Sequence, residues 1–423
     1  DDRYDMQGRP IAMTAGGRKG VGNTMGSLMN KKAPLCTFMI FLMLLSAVPS
    51  AAYARTNSAG EETGQKIIEE KLRANEIDSI QEAVDEALEE DGISGASDFS
   101  SEEILENALK GIPLENLKGF PGIVMSVLGK EIKTNIGLIL ELFAVMLLGA
   151  VIRALQPLEK GIPNEAAKLG VNGILIIIAS VSFGNIVDIA GAAVESMQNI
   201  ASLAIPALIA LMASSGRIVS VTAMQPLMLL GVNVACQIFK NILLPLAVVA
   251  GLLFLIDCIS ERFKLKTLAK LFKSCTAWIT GAITLIFSVA VSVQKLASSS
   301  VDAVTLRTAK LAIGTMIPVA GKYMSDAAET ILLCTSAARN ATGVLTIIGL
   351  GLIFITPFVK VFIVMISLKI AAAFGSPLCD ECICDALEDA AGCLSVVLGI
   401  MGAALFVLVV LTGTLMSSSG LMT

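Results

Sequence analysis

The chain has 423 residues, 55% of them hydrophobic and 16% charged, with a mean hydropathy of +0.77 and a net charge of −5. About a quarter of an ordinary soluble chain is charged, so this composition excludes a water-soluble globule and points to lipid-facing helices. The acidic balance argues against nucleic acid as a partner, and the absence of histidine removes Ser-His-Asp, Cys-His and histidine–metal mechanisms together.

Residues 1–28 are Gly-rich and unpatterned; they read as a translated upstream stretch or a disordered tail, outside the fold. Residues 29–54 have the three parts of a signal peptide. Met29-Asn30-Lys31-Lys32 is the positive start, Ala33 to Val48 the apolar stretch, and Ala52-Tyr53-Ala54 the small-residue cleavage site. The mature chain is expected to begin at Arg55.

Residues 55–135 are expected to form a small acidic helical region outside the cytoplasm. Ile77, Ile80, Val84 and Leu88 recur at helical spacing between Asp and Glu, which predicts a solvated amphipathic helix. Ser100 with Glu103 is a capping box before Ile104, while Gly111-Ile112-Pro113 and Gly119-Phe120-Pro121-Gly122 break the pattern. No cysteine occurs between Arg55 and Asn135, so this region has no disulfide staple.

Residues 136–423 predict an all-α, polytopic membrane domain with seven or eight transmembrane or re-entrant helices. The apolar runs are Ile136–Ile152, Gly170–Ala190, Ile200–Ala213, Thr222–Phe239, Ile242–Cys258, Cys275–Val293, Thr342–Ala373 and Cys393–Leu415. Ile200–Ala213 contains Pro206 and is short for a span, so it reads as re-entrant or interfacial. Thr342–Ala373 reads as one long broken element or two. With Arg55 outside, the loops Arg153–Leu169 and Ile259–Ser274 fall inside. The second carries Arg262, Lys264, Lys266, Lys270 and Lys273, the densest basic loop, as the positive-inside rule requires.

Residues 170–275 and 276–415 are candidates for an internal duplication. In Gly173–Gly216 an apolar span is followed by Val194-Glu195, Leu203-Ala204-Ile205 and a proline. Gly281–Gly321 keeps that order with Val301-Asp302, Leu311-Ala312-Ile313 and Pro318. Chance alignment of Ala- and Gly-rich helices is the competing reading.

Few residues in the spans invite a chemical role. Glu141 lies in the first span, and an ionisable group there is costly. Asp188 and Asp257 sit near span ends, where interfacial anchoring suffices. Pro206 and Pro357 interrupt helices, and Lys360 follows Pro357, where a cation can satisfy freed carbonyls or face a cavity. Cys379-x-x-Cys382-x-Cys384 with Cys393 resembles metal spacing, but the acidic neighbours Asp380, Glu381 and Asp385 favour structural or incidental thiols. No metal, cofactor or catalytic constellation is expected, and an enzyme is disfavoured.

The most distinctive stretch runs from Arg307 to Asp326, with Lys310, Gly314, Pro318 and Gly321 within it. With the Pro206–Gly216 segment and Lys369–Leu378, it resembles the stage III sporulation protein AE family of endospore-forming Firmicutes; Cys379–Cys384 and residues 1–28 depart from that pattern. The resemblance implies a multi-pass subunit in the mother-cell membrane around the forespore. It further implies a channel or secretion-like complex needed after engulfment, with a cytoplasmic ATPase, ring-forming proteins and a forespore-side partner. Arg307, Lys310, Gly314, Pro318, Gly321 and Asp326 carry over only as a signature. The competing reading is an autonomous secondary transporter, motivated by the repeat and the proline-broken spans; membrane lipid is a partner on either.

Overall fold

The computed structural model describes residues 77–90, 120–155, 162–258, 265–316, 321–377 and 381–416. The described residues are helical apart from short turns: α1 Ile77–Glu90, α2 Phe120–Leu155, α3 Ile162–Ser214, α4 Ile218–Ile238, α5 Leu244–Asp257, α6 Leu265–Met316, α7 Gly321–Gly375 and α8 Glu381–Met416. A π-helical segment, Phe239–Leu243, joins α4 to α5. Among the described residues, six stretches are long and apolar enough to cross a membrane: Met125–Ile152, Leu169–Ser214, Ile218–Asp257, Leu265–Leu296, Thr330–Gly375 and Cys382–Met416. The chain is a polytopic helical membrane protein.

The expected count of seven or eight changes because neighbouring runs fuse. Ile200–Ala213 is the second half of α3, not a re-entrant loop, and Pro206 lies inside that helix. Thr222–Phe239 and Ile242–Cys258 join through the π segment. Thr342–Ala373 lies within a single helix, α7, despite Pro357. The first span also starts early, since α2 begins at Phe120 within the stretch read as a break. Residues 1–76, the capping box at Ser100 and Pro318 lie outside the described residues.

Helices α7 and α8 pack most extensively, and α7 also lies along α3 and α2. Their buried Leu, Ile, Val, Phe and Ala side chains join those of α3 and α5 in one core. Several hydroxyls within this apolar material are satisfied by their own helix. In α6 the hydroxyls of Thr276, Thr280, Thr284, Ser288 and Ser292 each donate to the carbonyl four residues earlier. Between α5 and α3 the Phe183 ring lies on the α5 backbone, where a Cβ at Gly251 would stand 2.5 Å from its Cζ.

The predicted amphipathic helix is α1, and its apolar face is docked on the membrane domain. Ile80 and Val84 are buried against α3 and α7, with Val84 over Gly349, while Asp78, Glu82 and Glu86 face outward. The same interval separates Ile162 from Leu265 and Ile218 from Gly321. The starts of α3 and α4 are thus repeated in order and spacing by those of α6 and α7.

Candidate functional site: a polar belt between two apolar bands

The α3–α4 hairpin turns at Ser215, Gly216 and Arg217. The Gly216 N–H donates to the Ala213 carbonyl at 2.9 Å and the Arg217 N–H to Met212 at 3.4 Å. Gly216 has φ 76°, in the left-handed region that glycine enters without steric cost, so this is a Schellman helix stop.

Down the hairpin, ~27 Å along α3 from Gly216 at 1.5 Å per residue, polar residues take over the surface. Gln198 Nε2 donates to Asn233 Oδ1 at 2.7 Å, and Lys240 Nζ lies 2.6 Å from Glu195 Oε2. The Asn241 side-chain amide donates to Gln237 Oε1, and Ser202 Oγ donates to the Gln198 backbone carbonyl. The π segment supplies Lys240 and Asn241 to this belt; such single-turn insertions re-aim side chains and recur at functional sites.

Exposed apolar surface flanks the belt on both sides. Toward the hairpin turn it includes Leu203 and Leu230, the latter at 67% exposure. Toward the other end it includes Ile177 at 63%, Val181, Ile242 and Val249. The apolar part of α3, Leu169–Ser214, is 46 residues long, or ~69 Å at 1.5 Å per residue. A bilayer core is about 30 Å thick, and helices tilt by at most about 40°. Even at that tilt the core covers roughly 26 residues, so one bilayer cannot bury both bands.

A second polar cluster is enclosed behind the hairpin turn. Arg339 of α7 has no solvent exposure, Arg217 has 7%, and the charge of Arg217 acts on both Arg339 and Lys295 of α6. The Gln294 side-chain amide donates to the Ala223 carbonyl, tying α6 to α4 beside this cluster. At the opposite end, Lys266 of α6 pairs with Asp385 at 3.2 Å and Asp389 at 3.3 Å on α8. The Lys266 N–H donates to Asp257 Oδ1 at 2.9 Å, so Asp257 caps α6. Cys258 and Cys382 are disulfide-bonded there.

The residues singled out in the sequence do not converge on one site. Glu141 is exposed on α2 beside Leu140 and Phe143, directed away from the helices of this chain. Pro206 is exposed on α3; Pro357 is buried in α7 and Lys360 is half-buried one turn on. Arg307, Lys310 and Gly314 lie in α6, and Gly321 and Asp326 in α7; their side chains and Pro318 are outside the described set. Cys382 is paired with Cys258 rather than grouped with Cys384 and Cys393. Among the described residues, no group of three or more Cys, Asp or Glu could hold a metal ion.

Sequence reading passed over Glu195, Lys240 and Arg339. Lys240 fell between two runs that are one rod, Glu195 served only as a repeat marker, and Arg339 stood just ahead of the Thr342 run. The available signal was a single charge bracketed by apolar sequence on both sides.

Comparison with known proteins gives a consistent result. No solved structure matches. The chain is 28% identical over 334 residues to the stage III sporulation protein AE of Bacillus subtilis (strain 168), covering 78% of this chain and 83% of that protein. The profile of the family described as Stage III sporulation protein AE matches residues 99–420, a range that holds α2 to α8 with the polar belt and the Arg307–Asp326 signature: the chain belongs to the stage III sporulation protein AE family.

Proposed function

We propose that this sporulation protein is a membrane subunit of a channel or secretion-like complex between mother cell and forespore, required after engulfment. The observation that carries the reading is the two-band surface of α3, α4 and α5, whose apolar length is more than one bilayer can cover. A chain with that surface needs protein partners.

The band nearer the basic segment Ile259–Ser274, which from Leu265 on is the start of α6, sits in the bilayer with that segment on the cytoplasmic side. The band nearer Gly216 lies beyond it on the opposite side. Support comes from α1, whose Val84 rests on Gly349 while Asp78, Glu82 and Glu86 face outward. Exposed carboxylates at that level are costly in hydrocarbon, by about 2.5 kcal/mol or more each on insertion scales. The second band is then the docking face for other subunits of the complex, the ring-forming proteins among them, and the basic face is where a cytoplasmic ATPase would act.

In-frame deletion of the gene in its spore-forming host is expected to halt development after engulfment; heat-resistant spores at the parental count would overturn the proposal. An autonomous transporter is the alternative, favoured by the equal spacing of α3–α4 and α6–α7 and by Pro357 within α7. It requires solute uptake by the purified chain alone in liposomes.

A further inference from the structure

Cys258 follows the last turn of α5 and Cys382 opens α8; their sulfurs are bonded across 124 residues, with Cα atoms 5.8 Å apart. Noncovalent ties through Lys266 of α6 bridge the same gap. Lys266 reaches Asp385 and Asp389 of α8, and its N–H is held by Asp257 next to Cys258. These ties, and the packing of α5 on α8, do not run through the sulfur bond. Cys382 is exposed and Cys258 half-buried, so an incoming thiolate meets the Cys382 sulfur first.

The compartment decides what such a bond does. This end of the molecule carries Arg262, Lys264, Lys266, Lys270 and Lys273 in the sequence joining α5 to α6 and in the first turns of α6. On the positive-inside rule it faces the cytoplasm, where dithiols keep most cysteines reduced and the disulfides that form are transient or redox-sensing. We infer that Cys258–Cys382 is a reversible thiol–disulfide site on the cytoplasmic face, opened by a small protein dithiol of the thioredoxin class. The inference rests on the orientation given under Proposed function.

A thiolate of the dithiol attacks the Cys382 sulfur, the bond to Cys258 breaks, and Cys258 leaves as a thiolate that takes a proton from water. The second thiol of the reductant then attacks the mixed disulfide, frees Cys382 and closes the reductant's own disulfide. Two electrons pass to this chain, and α5 is then held beside α8 by their packing and by the bridge through Lys266 of α6.

The unaltered chain in native membrane vesicles tests this. Free thiols are blocked with a light alkylating reagent, reduced ones with a heavy form, and the Cys258 and Cys382 peptides are weighed by mass spectrometry. After oxidation with diamide, both cysteines should resist the light reagent. Thioredoxin with its reductase and NADPH should then lower the oxidised share to about a tenth in inside-out vesicles and leave it unchanged in right-side-out ones. Three outcomes overturn the inference: a pair that never forms, a pair that thioredoxin opens from neither side, or opening in right-side-out vesicles alone. The last also overturns the orientation; the first two leave the assembly reading standing, since no spore phenotype is measured.

Discussion

Gly216 is the residue on which the α3–α4 hairpin turns. Its φ of 76° costs an L-residue about 1 to 2 kcal/mol. Gly216→Ala should destabilise the detergent-purified chain by about that amount in thermal unfolding, and Gly216→Asn by less, since Asn tolerates the left-handed region. At the belt, Glu195 and Lys240 are 2.6 Å apart with side chains 56% and 33% exposed. In water such a pair contributes about 0 to 1 kcal/mol. Beside an apolar band its main effect is to avoid leaving a lone charge against apolar surface. Glu195→Lys or Lys240→Glu alone should lower the steady-state amount of protein in the membrane several-fold. The double exchange should restore most of it, as measured by quantitative immunoblotting; equal loss in the double variant contradicts the pairing.

The helices show how far the sequence could be read. Apolar runs located every membrane helix, because hydropathy depends on local composition alone. The amphipathic spacing of Ile80 and Val84 located α1. Continuity was hidden: Asp188, Glu195, Gln198 and Asn199 break a hydropathy window just as an interfacial loop does. Only the cross-helix partners Asn233 and Lys240 reveal that the helix runs on through them. Docking of α1 was equally hidden, since periodicity shows an apolar face but not what covers it. Val84→Arg would bury a guanidinium against Gly349, at a cost of several kcal/mol. Hydrogen exchange of the α1 amides should then accelerate by about tenfold or more while α7 and α8 stay protected; unchanged α1 protection contradicts the docking.

Across the whole molecule, pairings distant in sequence were beyond sequence reading. Cys258 and Cys382 lie 124 residues apart, and neither spacing nor composition joins them; the Cys379–Cys384 run reads only as structural or incidental thiols. Arg339 and Arg217 meet only because α7 lies along α3. The candidate site was therefore less legible than the fold, since it arises from which faces remain uncovered once the helices pack. The central claim is that the uncovered band nearer Gly216 is met by protein and the other band by lipid. A photo-crosslinking amino acid placed singly at Leu203, Leu230, Ile177 and Val249 in sporulating cells tests it directly. Protein adducts are expected from Leu203 and Leu230 and none from Ile177 and Val249; an absence of protein adducts at all four positions would contradict it.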